Sequence, residues 1–277
     1  MTKKKTTPQK PLVHFVAPYL LNPVHRISVT LIGVGGNGCQ MLSALARIDH
    51  ALRALGHPGL KVTAYDGDTV TEPNIGRQLF SESELGLNKA QAFITRINRF
   101  FGLDWEARPE MYKNGALRGN IIISCVDGVK TRLDIASAFQ KCRRDKNSEE
   151  YKTFYWLDLG NGQRIGQAVL GSSVISQPKS DKYETCSCLP LVTEEFDLSS
   201  VNEEDSGPSC SMAEALNKQD LFINSVLVQM AGSLLWSLLR DCIIDTRGFF
   251  VNLESFKTTG MPVRNLTAKE RKMFENV

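Results

Sequence analysis

Two acids, Asp66 and Asp127, and two cations, Arg77 and Lys89, follow a glycine run that reads Gly33-Val-Gly35-Gly36-Asn-Gly38. The run lies between an apolar segment, Ile27 to Ile32, and a helix-like stretch, Cys39 to Leu55. Strand, glycine turn and helix in that order bind a nucleotide phosphate. Gly33 permits the tight turn, Gly35 lets the backbone approach the phosphates, and Gly38 lets the helix pack on its strand. The helix N-terminus then faces the anion. Many dinucleotide enzymes share this turn, so an NAD(P)-dependent oxidoreductase is the first rival reading. Asp66 ends the next β-rich run, where an acid accepts hydrogen bonds from ribose hydroxyls. It lies further from Gly38 than the roughly 20 residues a dinucleotide fingerprint expects.

The elements that must position these residues follow from periodicity. Lys61 to Asp66 reads as a strand, and Asn88 to Phe101 as a helix with Ala92, Ile94, Ile97 and Phe101 on its apolar positions. Asp104 to Arg108 suits an edge strand, Ile121 to Val126 a buried strand, and Thr131 to Cys142 a helix. This repetition predicts an α/β fold: a Rossmann-like, doubly wound, mostly parallel sheet with helices on both faces and ligands at the strands' carboxyl ends. Phe154 to Leu159 and Ile165 to Leu170, joined through Gly160 and Gly162, predict an antiparallel extension. Pro178 to Ser209 carries eight acids against Lys179 and Lys182 and reads as a long acidic crossover loop, a length often tied to function. Met212 to Leu239 restores a helical pattern and Gly248 to Leu253 offers a last strand. The stripe Phe222, Val226, Met230 and Leu234 is expected to be core or subunit interface. The organisation expected is a tail over 1–25 and one domain over 26–277, with the crossover loop at 178–209.

A chain of 277 residues with 42% hydrophobic content can bury a full core. Its formal charge is +3, but Lys3, Lys4, Lys5 and Lys10 lie together at the start, leaving the remainder close to neutral. No clustered basic face for nucleic acid is expected. Ser225 to Leu239 is interrupted by Gln229, Ser233 and Ser237 and is shorter than the about 20 apolar residues a span needs. The start does not resemble a secretory signal, so a cytoplasmic location is expected. Seven cysteines then read as thiols, a metal site or a nucleophile rather than a disulfide framework. His14, His25, His50 and His57 show no ligand spacing.

Four motifs occur in order: the glycine run; Asp66-Gly-Asp68-Thr-Val-Thr-Glu-Pro-Asn74-Ile-Gly-Arg77-Gln78; Gly86-Leu-Asn-Lys89-Ala90; and Cys125-Val-Asp127-Gly128 with Arg132. Together they resemble the ThiF/MoeB adenylyltransferases, relatives of the ubiquitin-activating enzymes. The resemblance runs from about Ile27 through Ala168, loosens toward Leu253, and is absent from the first 25 residues. It implies that Gly33, Gly35, Gly36 and Gly38 cradle ATP. It further implies that Asp66 binds the ribose, that Asn74, Arg77 and Lys89 hold the triphosphate with Gln78 in support, and that Asp127 coordinates Mg²⁺. Those types suit the implied reaction, in which a carboxylate attacks the α-phosphate and charge builds that cations and a metal ion can neutralise. The implied substrate is the C-terminal carboxylate of a small ubiquitin-like (β-grasp) or sulfur-carrier protein, and the implied assembly a homodimer. The segments Cys186 to Asp197 and Lys218 to Ser225 are similar to the ThiF-related branch of bacterial PRTRC plasmid cassettes, which adds a conjugating-like protein as a partner. Two departures stand out: Gly128 replaces the usual asparagine, and the family's N-terminal arginine stretch is absent, with Arg26 the nearest substitute. A non-catalytic nucleotide-binding scaffold is therefore a third reading.

Cys210, in Pro208-Ser-Cys210-Ser-Met-Ala-Glu, matches the position where relatives carry an acyl-accepting thiol. A helix-start position would favour its thiolate and a nucleophilic role; a small residue at a helix entry is the plain alternative. Thr185-Cys186-Ser-Cys188-Leu-Pro190 resembles the family's zinc segment but is one residue short, and no second Cys-x-x-Cys follows. Tetrahedral Zn²⁺ wants four ligands, so a redox-sensitive thiol pair and an ordinary loop stay open beside zinc.

Overall fold

The computed structural model describes residues 10–113, 117–142, 152–198, 219–268 and residue 270. Its centre is five parallel strands in the order β6-β5-β2-β3-β4: β2 (Ile27–Ile32), β3 (Leu60–Tyr65), β4 (Glu106–Arg108), β5 (Ile121–Ser124) and β6 (Tyr155–Asn161). β7 (Ile165–Ser172), β10 (Thr246–Asn252) and β11 (Lys257–Pro262) extend it antiparallel, completing an eight-stranded sheet. β2 and β5 are apolar almost throughout because helices cover both faces. Along β5, Ile121 and Ile123 enter the larger core, with Val29, Leu31 and Leu45, while Ile122 enters a second core with Ile135, Phe139 and Trp156. That alternation is the period of two of a pleated strand.

The crossovers are α2 (Gly36–Ala54), α3 (Lys89–Phe101) and α4 (Val129–Cys142). Asn88 caps α3 by accepting from Gln91 N–H at 3.0 Å, and Gly102 ends it in the left-handed region at φ 67°. α2 begins at Gly36, so its first turn lies inside the glycine run. α6 (Ile223–Arg240) packs along α2, with Ile223, Leu227, Val228, Ala231, Leu235 and Leu238 fully buried. The expected stripe is displaced by one position: Val226, Met230 and Leu234 flank that core and Phe222 is exposed.

The tail expected over residues 1–25 is corrected from Leu12 onward. β1 (Leu12–Phe15) pairs with β8 (Glu184–Thr185) and β9 (Ile243–Ile244) in a separate three-stranded sheet, and α1 (Pro18–Leu21) follows it. His14 is fully buried. Its Nδ1 lies 2.7 Å from Cys186 O and therefore donates. Its Nε2 lies 3.0 Å from the Tyr155 hydroxyl, which accepts from Ala17 N–H and donates its own proton to the ring. Burial pulls the His14 pKa down to about 4. A four-residue strand is too short for its period to stand out beside a lysine-rich start.

The described part of the acidic crossover, through residue 198, also carries structure: β8 and the short α5 (Val192–Glu195). Glu195 pairs with the buried Arg247 and, at 2.7 Å, with Arg264. Residues 199–209 lie outside the described residues. No described helix is long and apolar enough to cross a membrane.

Candidate active site

Chain order reverses between β2 and β5, and the crevice beyond their carboxyl ends is where such sheets bind ligands. Gly33 follows β2 at φ +90°, and a Cβ there would sit 2.7 Å from the Cys125 carbonyl oxygen. At Gly38 a Cβ would lie 1.9 Å from the Gly33 carbonyl oxygen. Both positions exclude a side chain, because the turn is pressed between its neighbour strand and its own helix. Gly33 N–H donates to Tyr65 O at 2.9 Å, and Val34 N–H donates to Asp66 Oδ2 at 2.6 Å, tying the turn to β3.

A cavity of about 440 Å³ opens on this turn, lined by Gly33, Gly35, Gly36, Asp66, Arg77, Gln78, Lys89 and Asp127. Asp66 is buried at the end of β3 and accepts from Asp68 N–H at 2.8 Å as well as from Val34. Burial pushes its pKa up, while those N–H groups and Lys89 oppose the shift. Lys89, the first residue of α3, is buried and pairs with Asp68 at 3.3 Å. Burial lowers the pKa of Arg77, and the charge of Asp127 acts against that shift. The Arg77 Nη1 donates to Gln219 Oε1, while its buried Nε has no partner among the described residues. Asp127 is exposed at the rim and makes no ion pair among the described residues.

Beneath Asp127 lies a buried polar network that sequence reasoning left without a role. Arg132 Nε donates to both oxygens of Asp158, at 3.0 and 3.1 Å. Its Nη1 donates to Asp127 O at 3.2 Å and its Nη2 to Leu159 O at 3.1 Å. Trp156 Nε1 donates to Ser124 Oγ at 2.7 Å, and Ser124 donates to Asp158 at 2.5 Å. Arg132 therefore braces the backbone that carries Asp127. Its signal in sequence was its place in the motif; Asp158, inside an apolar strand, offered only a polar residue in a buried run. Asn37, Asn161, Gln219 and Asn224 also line the cavity and were not singled out.

Other expected residues fall elsewhere. Gly38 acts by letting α2 approach the turn. Asn74 does not line the cavity; its Oδ1 accepts from Thr71 N–H at 3.0 Å and Oγ1 at 3.1 Å, closing a 3-10 turn over Glu72–Asn74. Arg26 forms a two-pronged pair with Asp104 at 2.5 and 2.9 Å and does not line the cavity. Cys186 and Cys188 are buried either side of exposed Ser187. The Cys186 thiol donates to Cys188 O and Arg264 O, and that of Cys188 to Ser172 O. The zinc expectation finds no further ligands here, since no group of three His, Cys, Asp or Glu side chains placed to hold a metal occurs among the described residues. Cys210 lies outside the described residues.

Fold and cavity define a doubly wound α/β protein in which Asp66, Arg77, Lys89 and Asp127 gather around one crevice at the glycine turn. The ThiF family model matches residues 12–273, and the chain belongs to that family. That match begins at β1, which corrects the expectation that the resemblance is absent from the first 25 residues. No curated protein matches the sequence. Among solved structures, PaaA is similar with TM-score 0.55 and 15% identity, over 87% of this chain and 65% of that one. Escherichia coli MccB is similar with TM-score 0.57 and 14% identity, over 90% and 65%. Its ATP-bound structure gives TM-score 0.55 and 13% identity, over 90% and 66%. The chain thus spans less than two thirds of the length of these relatives, and the likeness is one of fold.

Proposed function

We propose that this protein adenylates the C-terminal carboxylate of a small ubiquitin-like, β-grasp or sulfur-carrier protein at the expense of ATP. The observation that carries the reading is the convergence of Arg77, Lys89, Asp66 and Asp127 with the glycine turn on one cavity. Family membership supports it, as do solved relatives that include MccB with ATP and MccB in complex with N-formylated MccA. The residues fit the nucleotide. The unpartnered Arg77 Nε is a donor that a phosphate oxygen satisfies, and a Cβ at Gly35 would meet only Gln78, at 3.9 Å, so the cradle is open. Asp66 stands at the end of β3, where a carboxylate accepts hydrogen bonds from ribose hydroxyls.

In the step proposed, a carboxylate oxygen of the substrate forms a bond to the α-phosphorus, the bond to the α,β-bridging oxygen breaks, and pyrophosphate leaves with that electron pair. Arg77 and Lys89 donate to the phosphate oxygens as charge shifts toward the leaving group. Asp127 would hold Mg²⁺, which screens triphosphate charge. One carboxylate is enough when substrate phosphates supply further ligands, so the absence of a larger acidic cluster among the described residues is no obstacle. Transfer of the acyl group to Cys210 as a thioester, a homodimeric assembly, a cytoplasmic setting and a PRTRC-type conjugating-like partner belong to the same proposal. The test is Asp127→Ala in carboxylate-dependent ATP–pyrophosphate exchange. Exchange falls by about 10²-fold or more if the acid holds the metal at the transferring phosphate; undiminished exchange removes the metal role.

A further inference from the structure

Between β3 and α3 the chain leaves the sheet at Asp66 and returns at Asn88, carrying Arg77 and Gln78 to the cavity on the way. The base of this excursion is laced shut by a short antiparallel pairing. Val70 N–H donates to Leu87 O at 2.8 Å, Gly86 N–H to Val70 O at 3.0 Å and Lys89 N–H to Asp68 O at 2.9 Å, while Thr69 and Asn88 face one another across it. Residues 71–85 therefore depart and return at one point, beside Asp66 and Lys89.

Asn88 stands at that point, and both ends of its carboxamide are used. Its Oδ1 accepts from Gln91 N–H at 3.0 Å, which caps α3. Its Nδ2 donates to Asp66 O at 2.8 Å and to Asp68 O at 3.1 Å. Exchanging oxygen and nitrogen would set a donor against Gln91 N–H and an acceptor against two carbonyls, so the partners themselves fix the orientation. Asp66-Gly67-Asp68 is thus curled around one side-chain nitrogen. The same curl brings Asp68 N–H to Asp66 Oδ1 at 2.8 Å, turns Asp66 Oδ2 to Val34 N–H at 2.6 Å, and sets the Asp68 carboxylate 3.3 Å from Lys89 Nζ.

We infer that Asn88 is a positioning residue of the site: through Nδ2 it holds the Asp66–Asp68 curl, and with it the aim of the Asp66 carboxylate and of the Lys89 ammonium, separately from its capping of α3. What this does for ATP rests on the adenylation reading; the hold on the curl does not. Capping alone does not require asparagine, since aspartate and serine cap a helix as well. Neither of those carries two N–H donors on one atom to span a pair of carbonyls. The curl, and not the cap, decides the residue type.

Asn88→Ser and Asn88→Asp separate the two roles, because both keep an acceptor for Gln91 N–H and both lose the paired donors. Serine adds no charge, whereas aspartate places a third carboxylate beside Asp66 and Asp68. Affinity of the full chain for a non-hydrolysable ATP analogue with Mg²⁺ is measured by calorimetry, and amide hydrogen exchange is followed over residues 33–38, 66–71 and 89–94. Exchange over 66–71 is expected to quicken about tenfold or more in both variants, with the start of α3 and the urea midpoint close to the parent's. Affinity for the analogue should fall about tenfold in the serine variant and further in the aspartate variant. Parental exchange and affinity in the serine variant leave Asn88 a cap and overturn the role. A loss confined to the aspartate variant, which is a charge effect, or equal loosening of 89–94, which is a failed cap, overturns it too. Should the parent bind no nucleotide while the serine variant still loosens 66–71, the adenylation reading fails and the role of Asn88 stands.

Discussion

Acidification should loosen the docking of the N-terminal strand through one residue, His14. In the folded protein the ring is neutral, donating to Cys186 O and accepting from Tyr155, and burial lowers its pKa to about 4 from an ordinary 6.5. An unfolded chain takes up a proton at the ordinary value. The neutral ring's contribution is therefore fully present above pH 6.5 and is lost progressively as pH falls to the folded value. A shift of this size corresponds to about 3 kcal/mol across that window, at 1.36 kcal/mol per unit. The perturbation is His14→Asn, which keeps a donor for Cys186 O but cannot take a proton. Urea unfolding of both proteins at pH 7.5 and pH 4.5 gives the comparison. The unsubstituted protein should lose about 2–3 kcal/mol more than the variant between the two pH values. Carboxylates such as Glu270, held down to about 2 by Arg264, contribute equally to both and cancel. Identical pH dependence in the two proteins refutes a buried neutral His14, and with it the docked position of β1.

Asp158→Asn leaves Arg132 buried without a countercharge and should cost about 3–5 kcal/mol of stability. Exchange activity should drop further than the folded fraction does, because Arg132 also carries the Asp127 backbone; a variant as stable as the parent by urea titration contradicts the network. Purified without chelators, the protein is expected to hold no stoichiometric zinc, with Cys186 and Cys188 reacting with a thiol reagent only on unfolding; one zinc per chain by elemental analysis counts against their assignment as core thiols. For Cys210, mass spectrometry after incubation with ATP, Mg²⁺ and a small carrier protein should show a thiol-sensitive adduct that Cys210→Ala abolishes while adenylation persists. An adduct unchanged in that variant removes its role as acyl acceptor.

What local sequence determined was the parallel core and the approach to it. The apolar runs at β2 and β5 and the helical spacing in α3 report burial through periodicity alone, and each lies within about three residues of its observed ends. The glycine spacing was legible for the same reason. Gly33 and Gly38 are constrained by contacts within one turn and its adjoining strand, so their residue type carries the geometry. The order of Asp66, Lys89 and Asp127 was likewise readable, since each sits just beyond a strand or at the start of a helix, where a doubly wound sheet presents its ligand groups, whereas Arg77 comes from the irregular segment between β3 and α3.

Tertiary structure alone decided the rest. β1 finds its partners β8 and β9 far along the chain, so nothing near Leu12 announces that its histidine will be buried. Asn37 meets Asn161 and Gly36 meets Asn224 from distant parts of the chain, and Ser124 meets Asp158 across the neighbouring strands β5 and β6; none of these pairings leaves a periodic trace. Asn74 and Gln78 lie in the same motif, yet only Gln78 faces the cavity, because Asn74 turns inward to close its own turn. Periodicity records which face of an element is buried. Which polar group it faces there is set by elements distant in sequence, and a carboxamide gives no sign of its partner until they pack.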